Sequence, residues 1–252
     1  MTLCIIPARL DSQRFPRKVL TAIAGRELIL RVVDTCIACD RLTQIVILAH
    51  DQEICDVVSK EYKSVSMVSV KLHLIGESGT HRAFDYYYAN NQKINMVVVQ
   101  ADNIGLTTRD LDTVVYHANS INDKSIYTPV CEMTQDDAAL TSNVKVALGG
   151  LDNILYFSRS YIPHGSCIFS KHVGVYMFPA SLLNDATFMM HAMNRDFNYC
   201  DLAKKEKLEQ LAWLYFGFSM RAVRLLGHRD SIDTPDDMKS YIKNYYATRS
   251  LF

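Results

Sequence analysis

Four cations crowd one short stretch near the N-terminus. Arg9, Arg14, Arg17 and Lys18 follow the apolar run Leu3-Cys4-Ile5-Ile6, in a loop that opens at Pro7. Open α/β sheets bind ligands beyond the carboxyl ends of their strands, so a first strand emptying into such a loop is placed to hold a polyanion. Backbone N–H groups in the loop add to the positive field. Composition alone does not separate this from a basic loop turned to solvent. A carboxylate, Asp102, stands just past the strongest apolar run, Asn95-Met96-Val97-Val98-Val99-Gln100. Beside cations that collect phosphates it is placed to hold Mg2+, which takes one or two protein carboxylates and keeps its waters. By itself such an Asp is more often a turn residue or helix cap. A later acid, Asp233 in Ile232-Asp233-Thr234-Pro235-Asp236-Asp237, sits in what is also a good helix start, with Pro and acids in the first turn.

The elements that must position these groups are legible in the apolar periodicity. Leu28, Val32, Val33, Cys36 and Ile37 at helical spacing predict a helix over 27–40, and the run 44–49 a second buried strand. Asp51 is placed as the N-cap of a helix through Ser59. A strand over 65–74, a turn at 76–79, a helix over 80–90, the strand 95–100 and a helix from Thr107 or Thr108 to Asn119 follow. Strand–helix alternation means parallel pairing with right-handed crossovers. The first half, 1–124, is therefore expected to be an α/β three-layer sandwich with a mostly parallel, Rossmann-like sheet. From Ser125 the rhythm changes: short strands at 126–131, 144–148, 155–158 and 173–178 predict an inserted mixed or antiparallel sheet, a smaller lobe over 125–200. A helix over 202–216, with Leu208, Leu211, Ala212 and Tyr215 on one face, a strand over 220–225 and a helix over 234–246 return the chain to the main sheet. With no repeats or linker runs, the 252 residues read as one domain with a cleft between its halves.

Lys plus Arg equals Asp plus Glu at 27 each, whereas nucleic-acid proteins normally carry a basic excess, so no nucleic-acid partner is expected. An apolar share of 49% supports a sizeable core and excludes a disordered chain. Seven cysteines without a disulfide-like framework, and a start without a signal peptide, predict a reducing cytoplasm. Cys36-Ile37-Ala38-Cys39 lacks a second ligand pair and reads as two packed thiols. No apolar run reaches the ~18 residues of a membrane span, so no membrane is expected. Met189, Met190 and Met193 are read as packing a lobe surface. Tyr86-Tyr87-Tyr88 goes round one helix turn and should leave at least one ring exposed.

The stretch CIIPARLDSQRFPRKVL at 4–20 resembles the N-terminal signature of the sugar-activating cytidylyltransferases, I-P-A-R-x-x-S-x-R-L-P-x-K-x-L. Within that group the later segments are most similar to the CMP-Kdo synthetases (3-deoxy-manno-octulosonate cytidylyltransferases). The resemblance runs from residue 3 to about 240, with its motifs in family order. It implies a nucleotidyltransferase that uses CTP and Mg2+ to activate a Kdo-like 2-keto sugar acid for lipopolysaccharide biosynthesis, releasing pyrophosphate, as a homodimer. On this resemblance Pro7, Ala8, Arg9, Arg14 and Lys18 wrap the triphosphate. The segment 97–102 resembles V-x-V-Q-G-D, which puts Gln100 in the nucleotide site and Asp102 on the metal; 232–237 resembles V-D-T-P-E-D, which turns Asp233 to the same metal. Ser78-Gly79-Thr80-His81-Arg82 resembles S-G-T-D-R, whose turn and Arg read cytosine: the backbone of Ser78 and Gly79 can approach the base, and Arg82 can donate to its acceptors. The segments 171–176 and 207–211 resemble K-H-I-G-I-Y and S-L-E-Q-L, which places His172, Tyr176, Glu209 and Gln210 in the sugar pocket. Arg159 is the candidate for the sugar carboxylate or for closing the site. No side chain stands out as a general base.

The chain departs from the family inside the site. Ala101 replaces Gly, Asn103-Ile104 replaces Glu-Pro, Arg17 replaces a loop Gly and His81 an Asp. Asn103 is expected to remove a negative charge beside the metal and Arg17 to add a positive one near the triphosphate, shifting the local field the same way. The connection 163–171 is short where the family carries a longer segment that helps pair subunits. The alternatives are therefore a cytidylyltransferase for another acidic sugar (8-amino-Kdo or a nonulosonic acid) and a diverged nucleotide-binding paralogue with little turnover. A dinucleotide-binding Rossmann protein is excluded, since no G-x-G-x-x-G follows the first strand.

Overall fold

The computed structural model describes residues 1–74, 78–121 and 123–249, with side chains up to 243, so the first half of the turn expected at 76–79 lies outside the described residues. The first half contains β1 (Thr2–Ala8), a small hairpin of β2 (Ala22–Ile23) and β3 (Arg26–Glu27), α1 (Leu28–Ile37), β4 (Gln44–Ala49), α2 (Gln52–Glu61), β5 (Val68–Leu72), α3 (Gly79–Ala89), β6 (Asn95–Val99) and α4 (Thr108–Ile121). The second half contains β7 (Ile126–Met133), α5 (Gln135–Ala139), β8 (Lys145–Leu148), β9 (Ile154–Ser158), β10 (Phe169–His172) and β11 (Val175–Phe178). It closes with α6 (Ala180–Leu183), α7 (Ala186–Met193), α8 (Asp201–Glu206), α9 (Gln210–Tyr215), β12 (Met220–Leu225) and α10 (Pro235–Arg249).

Strand periodicity sends alternate residues of β1 to opposite faces, and both faces are covered. Cys4, Ile6 and Ala8 join a core with Leu28, Val32 and Cys36 of α1, Ile54 of α2 and Leu111 and Val115 of α4. Leu3 and Ile5 join the other core with Phe84 and Tyr87 of α3, Phe188 of α7 and Trp213 of α9. This is the expected three-layer sandwich. Burying each such large apolar side chain contributes about 1.5–3 kcal/mol against the chain entropy lost.

β5, β4, β1 and β6 pair in parallel in that order. The strands expected as a separate lobe instead continue the same sheet: β11 pairs antiparallel with both β6 and β7, giving ten strands in the order β5-β4-β1-β6-β11-β7-β10-β8-β9, with β12 parallel to β7. One of them, β10, was not expected. The helix read over 202–216 is two helices, because Lys207 adopts the left-handed conformation between them. Leu208, Leu211 and Ala212 are buried as expected, but Trp213 takes the inward place given to Tyr215, which is exposed. None of the three consecutive tyrosines is fully exposed: Tyr87 donates to Ile94 O (2.8 Å) and Tyr88 to Leu183 O (2.9 Å). Cys36 is buried 3.8 Å from Cys4 Sγ. Among the described residues no helix is long and apolar enough to cross a membrane.

Candidate active site

The sheet topology brings the chemistry to one edge. β11 is antiparallel to both β6 and β7, so β7 and its parallel partner β12 run the same way as β1 and β6. The carboxyl ends of β1, β6 and β12 therefore share one side, and the loops behind them carry Lys18, Asp102 and Asp233. The β6 and β12 loops are stitched together: Ile232 N–H donates to Asp102 O (3.1 Å) and Gly105 N–H to Asp230 O (2.9 Å). Arg229 grips Asp110 through two 2.6 Å hydrogen bonds. The loop after β1 is fixed by Leu10 N–H donating to Asp51 Oδ2 (2.9 Å). Asp51 thus stands at the N-cap of α2 as expected, but its carboxylate serves the cationic loop rather than the helix end.

Lys18 lies where the three loops meet. Its Nζ donates to Asp102 Oδ2 (2.5 Å), Ile232 O (3.0 Å) and Asp233 Oδ1 (3.3 Å), and Arg14 donates to the same Asp233 oxygen at 2.8 Å. Burial pulls the Lys18 pKa down, but the charges of Asp102 and Asp233 outweigh it and the net direction is up. Acids far apart in sequence thus share one ammonium, as the motif resemblance requires. No cluster of three or more His, Cys, Asp or Glu able to hold a metal occurs among the described residues. Two carboxylates suffice for Mg2+ when phosphate oxygens and water complete its shell, so the donor set fits.

Around this centre lies a cleft of about 1110 Å³, lined by nine cationic and three acidic side chains. Every residue that the resemblance assigned to nucleotide, metal or sugar lines it: Pro7, Ala8, Arg9, Arg14, Lys18, Ser78, Gly79, Arg82, Gln100, Asp102, Arg159, His172, Tyr176, Glu209, Gln210 and Asp233. On one wall, Ser78 caps α3, its Oγ accepting from His81 N–H (3.2 Å). Gly79 lets the helix start sit against β1, since a Cβ there would lie 2.8 Å from Pro7 Cγ. Arg82, 4% exposed, donates to Ala8 O (3.3 Å) and Leu48 O (3.4 Å), tying its guanidinium to the strand ends.

On the other wall, Thr128 donates to Val175 O (2.7 Å), which leaves His172 Nε2–H to donate to Thr128 Oγ1 at 2.9 Å. The His172 ring stacks on Tyr176 at 5.3 Å, and burial pushes its pKa down to about 3, so it is neutral. Tyr176 donates to Gln210 Oε1 (3.2 Å), and both are nearly closed to solvent. Glu209, which the resemblance put in the sugar pocket, accepts from Thr80 Oγ1 (2.7 Å), and burial raises its pKa. Arg159 donates to Thr141 O (2.9 Å), Glu206 O (3.3 Å) and Lys207 O (3.4 Å).

The substituted positions have local explanations. Arg17 lies in the left-handed region and pairs with Glu53. It does not line the cleft, which removes the charge it was expected to add near the phosphates. Asn103 lies in the cleft wall, with its amide donating to Gly174 O at 2.6 Å. His81 hydrogen-bonds Ser78 Oγ through Nδ1 (2.8 Å) and is held neutral, its pKa pushed down to about 4 by burial and by Arg195. Lys171, Lys204, Lys207 and Arg229 also line the cleft without having been assigned a role. The polar run His228-Arg229-Asp230, set two residues beyond the end of β12, was the available signal for Arg229.

Residues 3–222 match the family model described as "Cytidylyltransferase". The chain is 33% identical over 248 residues to a 3-deoxy-manno-octulosonate cytidylyltransferase of Rickettsia bellii, covering 97% of this chain and 96% of the relative. It is 31% identical over 245 residues to the enzyme of that name in Rickettsia felis, covering 96% and 94%. Among solved structures, a CMP:2-keto-3-deoxy-manno-octonic acid synthetase complexed with CTP superposes with a TM-score of 0.83 at 22% identity, over 98% of this chain and 99% of that one. The parallel strand ends, the cationic cleft and the match over most of its length agree: this chain belongs to the cytidylyltransferase family.

Proposed function

We propose that this cytidylyltransferase activates a Kdo-like 2-keto sugar acid with CTP, giving a CMP-sugar and pyrophosphate. The convergence of Lys18, Arg14, Asp102 and Asp233 in one cationic cleft carries the reading. Lys18 and Arg14, with Arg9 at the mouth, bind the triphosphate and neutralise charge on the departing pyrophosphate. Ser78, Gly79, Arg82 and Gln100 hold the nucleoside against the end of β1, which fixes the α-phosphorus for in-line attack by the anomeric hydroxyl. Asp102 and Asp233 would hold Mg2+, which polarises phosphate oxygens as a Lewis acid. Arg159 takes the sugar carboxylate, and neutral His172, Glu209 and the Tyr176–Gln210 pair shape the wall for its hydroxyls. A homodimer in the cytoplasm, where CTP is made and thiols stay reduced, completes the assignment.

Pyrophosphate release with CTP and Mg2+, measured across Kdo, 8-amino-Kdo and a nonulosonic acid, tests the reading. Turnover fastest with Kdo is the expected result. CTP binding by calorimetry without product from any 2-keto sugar acid would overturn it. Arg17, Asn103 and His81 each have a local partner, so they supply no observation in favour of a binding-only paralogue.

A further inference from the structure

Lys145, in β8, is fully closed off from solvent, an unusual place for an ammonium group. Its Nζ donates to three main-chain carbonyls, of Leu140 (3.2 Å), Asn143 (2.8 Å) and Arg159 (2.5 Å). An ammonium has three N–H donors, so all are used; burying the charge is tolerable only on that condition. The acceptors belong to two separate segments, the 140–143 turn and the end of β9, and both contribute residues to the cleft. The same turn supplies the Thr141 carbonyl to which the Arg159 guanidinium donates at 2.9 Å. Lys145 therefore holds Arg159 twice, once by its main chain and once through the turn that receives its side chain. Arg14 and Asp233 are close enough to act on the Arg159 charge.

We propose that Lys145 is a positioning residue for the acid end of the sugar substrate: by tying the 140–143 turn to the end of β9 it sets the Arg159 guanidinium in the cleft. The inference rests on the reading of Arg159 as partner of the sugar carboxylate. Lys145 itself touches no substrate. Its loss leaves the phosphate-binding loops intact and lets Arg159 wander.

Steady-state kinetics of Lys145→Met, Arg159→Met and the double variant, with Kdo varied at saturating CTP and the reverse, test this. Lys145→Met should raise KM for the sugar about tenfold to a hundredfold, the loss expected when a charge-assisted hydrogen bond is misplaced, with KM for CTP within about threefold of the parent. The double variant should be no worse than Arg159→Met alone, because both changes remove the same contact. A raised sugar KM in Arg159→Met but not in Lys145→Met overturns the role of Lys145 and leaves that of Arg159 standing. An unchanged sugar KM in Arg159→Met overturns both. A further loss when Lys145→Met is added to Arg159→Met also overturns the inference, since Lys145 would then act by another route. Should Lys145→Met not fold, Lys145→Gln keeps two donors for the carbonyls and goes through the same assays; a rise in sugar KM alone supports the inference, and equal rises in both KM values sink it.

Discussion

Lys18→Met tests the centre of the site most directly. The substitution keeps an unbranched side chain of similar length and removes the ammonium that Asp102 and Asp233 share. The 2.5 Å contact with Asp102 joins side chains only 11% and 20% exposed, so solvent screens it weakly. A charge-assisted hydrogen bond of this kind contributes about 1.5–3 kcal/mol, and the 3.3 Å contact with Asp233 adds less. A net loss of about 2 kcal/mol corresponds to a fall in Tm of about 4–8 °C for a chain of this length. The raised pKa of Lys18 sets the pH window. Its contribution is complete below the usual lysine value of 10.5 and is lost only as pH rises through the higher folded value, so the Tm gap should stay level through neutral pH and close above it. Catalysis should suffer more than stability, because a preorganised cation facing developing negative charge is worth about 10²–10³ in kcat. Pyrophosphate release at saturating substrates, with CTP affinity by calorimetry, reads both. A kcat within about threefold of the parent and unchanged CTP affinity would refute the placement of the phosphates over Lys18.

Three further outcomes follow from the geometry. Gly105→Ala puts a Cβ 2.3 Å from the Asp230 backbone nitrogen, where only main chain can yield; it should cost about 1–3 kcal/mol in denaturant unfolding and lower kcat about a hundredfold by shifting the loop that carries Asp233. Arg17→Gly should leave KM for CTP and kcat within about twofold of the parent, because the Arg17–Glu53 pair is exposed and outside the cleft; a larger change would restore a phosphate role for Arg17. His81 and His172 are neutral when buried, with pKa values depressed to about 4 and about 3. The unfolded chain takes up protons below about pH 6.5 that these rings refuse, so stability should fall from there down to about pH 4, and His81→Gln should flatten that slope in a Tm-against-pH series.

The parallel strands and the loops behind them were legible because they are written locally: runs such as 45–49 and 96–99 are continuously apolar and are followed at once by polar residues. No periodicity links Asp102 and Asp233; the motif resemblance alone paired them, and in the fold both carboxylates reach Lys18. Sheet continuity was not legible, since β11 pairs with both β6 and β7 and neither is its neighbour in sequence. β10 escaped notice because Phe169-Ser170-Lys171-His172 is half polar, its lysine buried by donating to Arg229 O. The break at Lys207 has neither Gly nor Pro to announce it. Arg17 was misjudged because its partner, Glu53, lies far along the chain; the Gly174 carbonyl that Asn103 answers to was illegible for the same reason, since only tertiary structure pairs the two.

The insertion of β11 between β6 and β7 also constrains how the protein is made. A ribosome that has released the parallel strands has produced four that cohere, yet the open side of β6 waits for residues 175–178. Until then a row of bare peptide groups invites the wrong neighbour, another nascent copy included. Fragments truncated before β11 should therefore clump when expressed, whereas chains carried through Phe178 can seal that flank.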